Sequence, residues 1–340
     1  MSAQLPTRTI GDTQVTAVGF GVMGLSVAYS KPLPDEERLK LLDTVYEHGC
    51  TNWDTADVYS DNEELLGKWF ARTGKRSEIF LATKFGFKFG TNTSTIDGSP
   101  EYVRERFGRS LRLLGTEYVD LLYLHRPALD TPIEITVGAM AELVKTGKVR
   151  YLGLSDCSEA TLRRAHAVHP IAALQVEYSP FTLDIEDEKI GLYRACQELG
   201  VAIVVYAPLA RGLLTGQFQS PDDFAEGDFR RAIPRYSREN FPKILKLVED
   251  LKAIGAKYGA TPSQVMLAWL LAQAGNVIPI PGTTKEKYLK ENLAALNIRL
   301  SPEDLQEVRK VAEAANASSM GARYPEFMMK FAYADTPELQ

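Results

Sequence analysis

Eight short apolar runs, each followed by a stretch with helical spacing, recur along the 340-residue chain. They are AVGFG (17–21), TNWDT (51–55), IFLATKF (79–85), VDLLYLH (119–125), VRYLGLS (149–155), AALQVEY (172–178), VAIVVYAP (201–208) and NVIPIPG (276–282). Several are continuously apolar, the pattern of parallel strands covered on both faces. Helix starts lie between them. Thr131-Pro132 with Glu134, Thr261-Pro262 with Gln264, and Ser301-Pro302 with Asp304 each place a hydroxyl, a proline and a capping acceptor in order. Gly49, Gly115, Gly147 and Gly200 stand where helices should stop. Eight strand–helix units predict an α/β fold, one (β/α)8 barrel over residues 1–340. With 45% hydrophobic and 24% charged residues, the chain has the makeup of a globular protein able to bury such a core.

A doubly wound sheet would need a glycine-rich phosphate loop after an early strand. GFGVMG (19–24) has the spacing, but LSVAYSKPLPDEER follows, with two prolines where that motif requires a helix. The barrel reading therefore stands. Ahead of its first strand, RTIGDTQVTAV reads as a hairpin turned at Gly11-Asp12, a lid for the barrel bottom. The longest connection, 210–241 after the seventh strand, is rich in Arg, Phe, Gly and Pro, and loops of that length are commonly functional. Together with the segment after GVMGLS and the tail SSMGARYPEFMMKFAYADTPELQ, it is expected to shape a pocket over the active face.

A net charge of −5 argues against a nucleic-acid partner. No run reaches a membrane span, and MSAQLPTRTIGDTQV lacks an apolar signal core. Cys50, Cys157 and Cys196 have no metal-ligand spacing and read as small buried hydrophobes in a reducing compartment. A cytoplasmic protein with a small-molecule ligand, no membrane and no bound metal is expected.

In such a barrel the C-terminal strand ends form the active face. Asp54 and Tyr59 follow the second strand, Lys84 ends the third and His125 ends the fourth. An ammonium beside a phenol favours phenolate, so Lys84 is expected to lower the Tyr59 pKa while Asp54 holds that ammonium. Tyr59 would then serve as general acid, with His125 binding the oxygen to be protonated. Taken singly, Asp54 and Lys84 could be a structural ion pair, His125 a core histidine and Tyr59 a packing aromatic. Their fall at successive strand ends favours the joint reading. Trp53 and Phe85 read either as core or as substrate-pocket wall. Arg126 reads as a ligand for an acidic substrate or as a partner of Asp130. Arg230, Arg231 and Arg235 read as phosphate ligands or as a solvated loop face.

GCTNWDTADVYSDNEELLGKWF, LATKFG, DLLYLHRP, GKVRYLGLSD and VVYAPLARGLLTG resemble, in order and spacing, signatures of the aldo-keto reductase superfamily. The likeness runs from the hairpin to IPGTTKEKYLKEN, and its 125–155 segment resembles fungal and plant reductases of the auxin-induced-protein and perakine-reductase type. The resemblance implies NADPH-dependent reduction of a small-molecule aldehyde or ketone, with Asp54, Tyr59, Lys84 and His125 as the catalytic tetrad. It implies that Tyr206 stacks beneath the nicotinamide, and that Ser155, Asp156 and Gln175 hold the carboxamide. Asp156 stands where the family commonly has asparagine. Leu209, Arg211, Gly212 and Leu213 match a pyrophosphate-wrapping segment. Gly282, Thr283, Thr284, Glu291 and Asn292 match the adenosine end. Tyr288 replaces a frequent arginine there, and Lys285 or Lys287 could restore its charge beside a 2′-phosphate, which favours NADPH with NADH possible. Met23, Trp53, Phe85 and Arg126 are the substrate-pocket candidates.

Two other readings are weighed. A regulatory NADPH-binding subunit resembling the potassium-channel β subunits would share this fold, but nothing here resembles a long N-terminal inactivation segment. A metal-dependent barrel hydrolase needs clustered ligands, and of His48, His125, His166 and His169 only His125 is well placed.

Overall fold

The computed structural model describes residues 5–29, 31–89 and 94–340; the first four residues, on which part of the N-terminal reading rests, lie outside them. Strands β1 (Thr7–Ile10) and β2 (Thr13–Thr16) pair antiparallel about Gly11, as the turn signal predicts. All eight apolar runs then yield strands. They are β3 (Phe20–Gly21), β4 (Asn52–Asp54) and β5 (Phe80–Phe85); a hairpin of β6 (Phe87–Phe89) and β7 (Ser94–Ile96) intervenes. The series continues with β8 (Val119–Leu124), β9 (Val149–Ser155), β10 (Ile171–Glu177), β11 (Ala202–Tyr206) and β12 (Val277–Pro279). The parallel order is β3-β4-β5-β8-β9-β10-β11-β12. The β6–β7 hairpin is not foreseen in the sequence reading.

Backbone hydrogen bonds join the seam between β3 and β12. Gly19 N–H donates to Pro279 O at 2.9 Å and Gly21 N–H to Pro281 O at 3.4 Å. A Cβ on Gly21 would lie 2.8 Å from Ile280 O, and one on Gly282 would lie 2.5 Å from Gly21 O, so glycine permits the closure. The glycines of GFGVMG thus include a barrel-closing residue, and the segment is followed by a single turn at Met23–Leu25 where a phosphate loop would open a long helix.

The helices are α1 (Asp35–Glu47), α2 (Asn62–Thr73), α3 (Pro100–Leu114), α4 (Ile133–Lys145), α5 (Glu159–Val168) and α6 (Leu192–Leu199). They are followed by α7 (Phe241–Ala256), α8 (Pro262–Gln273), α9 (Glu286–Ala294), α10 (Pro302–Ser318) and the short α11 (Glu326–Met329). Thr261 and Gln264 form a full capping box on α8, and Ser301 Oγ accepts from Asp304 N at 3.2 Å on α10. Thr131 does not cap α4: that helix begins after Pro132, and the Thr131 hydroxyl turns to Asp130 at 3.0 Å. No helix among the described residues is long and apolar enough to cross a membrane.

The core has two layers. Inside the ring, Phe80, Ala82, Leu121, Tyr123, Ala202, Val204, Ile278 and Ile280 meet at every second strand position. Ile10 and Val15 of the hairpin belong to the same cluster, and the hairpin meets Val277, the first residue of β12, so the lid covers the N-terminal end. Arg8 fastens it by donating to the carbonyls of Leu271, Ala274 and Val277. The larger cluster lies between strands and helices and includes Cys50, Cys157 and Cys196, all buried and free. Trp53 belongs to it, edge-on to Trp69 at 4.7 Å between centroids, with its indole N–H on Cys50 O at 2.8 Å. Phe85 is buried in the same cluster.

Candidate active site

At the opposite end, successive strands bring Asp54, Lys84 and His125 together. Lys84 Nζ donates to the Asp54 carboxylate and to Thr55 O at 2.8 Å; from across the ring, Gln175 Nε2 donates to Asp54 Oδ2 at 2.7 Å. Lys84, Asp54 and Gln175 are all buried. Tyr59 sits on the loop from β4 to α2. Asp57 N–H ties that loop to Lys84 O at 3.0 Å, and the Asp57 carboxylate accepts from Arg106 Nε at 2.7 Å. Lys84 Nζ then lies 5.1 Å from the Tyr59 ring centroid, and the Tyr59 and His125 rings meet edge-on at 5.7 Å. The four residues expected as a tetrad therefore form one cluster.

Burial draws Asp54 up and Lys84 down, each toward its neutral form, while each partner's charge resists. Burial also raises the Tyr59 phenol above the usual tyrosine range; Asp54 adds to the rise and Arg126 opposes it. This corrects the expectation of a lowered phenol. The Lys84 ammonium is already committed to Asp54, so the pair shows the phenol little net charge and loss of water decides the sign. Tyr59 consequently keeps its proton at neutral pH, as an acid must. His125 is pushed well below the ordinary histidine value, first by burial and then by the charges of Lys84 and Arg126. It stands as a neutral imidazole that can bind an oxygen without supplying the proton.

Behind Lys84, Thr83 Oγ1 donates to Glu63 Oε1 at 2.7 Å, and burial lifts the Glu63 carboxyl to about 7 from 4.5. A carboxyl raised on folding contributes stability in full below its unfolded value and loses it as pH climbs through the folded one. Glu63→Gln keeps the acceptor for Thr83 and removes the titration. Its melting temperature should match the wild type near pH 4 and exceed it near pH 8, by on the order of 2 kcal/mol in stability. Thermal denaturation at both pH values checks this, and equal melting at the higher pH would show Glu63 comfortably ionised.

A cavity of about 600 Å³ opens above the cluster, with Asp54, Tyr59, His125 and Gln175 on its wall. Met23, Arg126 and Tyr206, the last at the end of β11, also line it. Leu209, Arg211 and Gly212 follow; Gly282, Thr283, Thr284, Tyr288, Glu291 and Asn292 line the remainder. Other candidates fall elsewhere. Trp53 and Phe85 are core residues and do not form the pocket wall. Leu213 is also buried in the core, and Lys285 lines a smaller adjoining cleft with Thr284 and Arg38. Ser155 and Asp156 lie behind the wall, in contact with Arg126: Ser155 Oγ accepts from it at 2.9 Å, and Asp156 pairs with it at 2.9 Å. Arg126 thus pairs with Asp156, not with Asp130.

The 210–241 connection folds into single turns over the cavity, and Phe229 N–H reaches across to Ala28 O at 3.3 Å. Of its arginines, Arg211 and Arg230 line the cavity, Arg230 pairing with Asp228 at 2.6 Å, whereas Arg231 bonds the carbonyl of Phe224 in the loop and Arg235 that of Gly321 in the tail. The tail supplies two residues that the sequence reading does not single out. Tyr324 OH donates to or accepts from Tyr206 OH at 3.0 Å, and Arg323 Nη1 donates to Tyr206 OH at 2.9 Å. The adjacent Arg-Tyr in the tail was the available signal.

The model for the Aldo/keto reductase family matches residues 17–313 of this barrel. The chain belongs to that family. It is an oxidoreductase. Aldo-keto reductase str7 of Strobilurus tenacellus is 58% identical over 314 residues, 91% of this chain and 92% of that protein. Aldo-keto reductase yakc of Schizosaccharomyces pombe, whose name carries NADP(+), is 48% identical over 98% of this chain and 99% of its own. Among solved structures, a glycerol dehydrogenase from Gluconobacter oxydans superposes with a TM-score of 0.83 at 25% identity, covering 94% of this chain and 98% of that one. The holo form of an aldo-keto reductase from Bacillus halodurans gives 0.75 at 28% identity, covering 95% and 99%. In this aldo/keto reductase the parallel eight-stranded order agrees with the family assignment.

Proposed function

We propose that this aldo/keto reductase reduces an aldehyde or ketone to the alcohol with NADPH, and that Tyr59 donates the proton. The observation that carries the reading is the phenol of Tyr59 and the imidazole of His125 on one cavity wall, above a buried Lys84–Asp54 pair. The residues present fit a dinucleotide. The cavity extends from the cluster past the Tyr206 ring to Thr283 and Tyr288, and hydrogen bonds from Arg323 and to Asp156 at 2.9 and 2.7 Å hold the Tyr206 hydroxyl in place. Tyr206 would stack on the nicotinamide, with Gln175 near its carboxamide and Thr283, Thr284, Glu291 and Asn292 at the adenosine end. When bound, the nicotinamide supplies the hydride. The chain's own residues supply the rest: His125 orients the carbonyl oxygen, Tyr59 protonates it, and Lys84 with Asp54 fixes the field around the phenol. The test is NADPH oxidation followed at its absorbance with a panel of aldehydes and ketones; no consumption with any of them overturns the reading.

The NADP(+) in the name of the fission-yeast relative supports NADPH over NADH. Lys285 and Lys287 are exposed, 5.9 and 5.6 Å from the centroid of the Tyr288 ring that lines the cavity. Changing both to Ala should weaken NADPH binding about tenfold more than NADH binding, and the difference should shrink with added salt. Fluorescence titration with both cofactors checks this. Equal weakening would move the 2′-phosphate site to Arg230.

A further inference from the structure

Arg126 directly follows His125 and lines the cavity beside it, where a guanidinium would ordinarily read as a receptor for a substrate carboxylate. The geometry here removes that capacity. Nη1 donates to His125 O and Ser155 Oγ, both at 2.9 Å; Nη2 donates to Tyr324 OH at 3.3 Å and pairs with Asp156 Oδ2 at 2.9 Å. Three of the four terminal N–H groups are donated, and Nη2 stands against the Asp156 carboxylate, so a ligand carboxylate would have to compete with Asp156 for what remains.

Its charge is matched as well. Asp156 is wholly buried and also lies 3.3 Å from Arg323 Nη2. Arg323 in turn is 3.6 Å from Glu177 and 3.8 Å from Asp184, and Glu177 pairs with Arg211 at 3.2 Å. Three guanidiniums face three carboxylates, and the network presents no net positive charge to the cavity. The cavity wall also includes Met23, Tyr29, Phe87, Tyr324 and Phe331, with a neutral imidazole at His125. A carboxylate entering this space loses its water and, among the described residues, meets an Arg126 already paired with Asp156 and no uncompensated cation.

We propose that Asp156, acting through Arg126, sets this enzyme for carbonyl substrates that carry no anionic group and turns away aldehydes and ketones bearing a carboxylate. The proposal rests on the carbonyl-reductase reading above. Asp156 is a positioning residue: it touches Arg126, and Arg126 touches the cavity. Removing its charge while keeping its shape leaves Arg126 and Arg323 with a surplus positive charge beside the substrate, so Asp156→Asn should admit the anions that the wild type excludes.

Methyl 4-formylbenzoate and 4-formylbenzoate differ by one ester methyl and one charge, and kcat/KM for each with NADPH gives the ratio that decides. The wild type should prefer the ester by about 30-fold or more, the range expected when a charge is desolvated without a partner. In Asp156→Asn that preference should fall by about tenfold. Arg126→Met deletes one cation from the balanced network and leaves Asp156 in surplus, so the preference for the ester should hold or widen. Equal use of acid and ester by the wild type, an unchanged ratio in folded Asp156→Asn, or a narrowed ratio in Arg126→Met would each overturn the proposal. If Asp156→Asn does not fold, Tyr324→Phe frees one N–H of Arg126 and should still narrow the ratio; no narrowing there overturns it. Quenching of intrinsic fluorescence by the two compounds on the NADP+-bound enzyme repeats the comparison without turnover. Failure to reduce either compound would count against carbonyl reduction, whereas the binding preference and its loss in Asp156→Asn would still decide the role of Asp156.

Discussion

Tyr59→Phe should lower turnover by at least about 10²-fold while NADPH still binds, since the substitution keeps the ring and deletes only the proton to be transferred. The ring's edge-on contact with His125 and its place under the cavity do not depend on the hydroxyl. Fold and cofactor affinity are therefore expected to persist, and steady-state rates together with NADPH titration separate the two effects. The raised phenol adds a second expectation. In the free enzyme Tyr59 stays protonated through neutral pH, so kcat/KM for reduction should show no downturn from its ionisation below the ordinary tyrosine value near 10. A Tyr59→Phe enzyme with near wild-type turnover would assign the proton to another donor.

Much of this arrangement is legible in the sequence because each barrel strand writes its own apolar run, and because the polar residue that ends a buried strand has few places to point. Asp54, Lys84 and His125 are readable on that ground. The same logic, carried one step further, removes Trp53 and Phe85 from the pocket. Successive side chains of a strand face opposite sides, so the neighbours of Asp54 and Lys84 turn outward to the helices, as the Trp53 contact with Trp69 shows. What the sequence hides is pairing at a distance. Arg126 has an acid nearby in the chain, Asp130, yet its ion-pair partner is Asp156, the residue after the next strand, and its hydroxyl partner Tyr324 lies 198 positions away. The sign of the Tyr59 shift is hidden for a related reason. An ammonium near a phenol lowers its pKa only if that charge is uncompensated and the phenol is wet, and both conditions are properties of the fold.

That corrected sign sharpens what Lys84 and Asp54 should do. Lys84→Met deletes the cation and leaves the Asp54 carboxylate with Gln175 as its remaining donor among the bonds described above. Asp54 already pushes the phenol up, and without Lys84 its charge is no longer offset, so Tyr59 becomes a still weaker acid. Turnover should fall by about 10²-fold or more, and any basic limb of the pH profile should move upward. Asp54→Asn does the reverse to the field. It removes the anion that raises the phenol and leaves an ammonium bonded to Thr55 O, so the limb should move downward. The loss of rate should be smaller, because the remaining defect is a less firmly held cation. Breaking a buried pair from either side costs about 3–5 kcal/mol of stability, so both variants need melting curves beside their rates. Rates across pH with one neutral aldehyde decide the matter: limbs that shift the same way, or a folded Asp54→Asn more damaged than Lys84→Met, would mean that Asp54 acts on the reaction directly and not through the charge of Lys84.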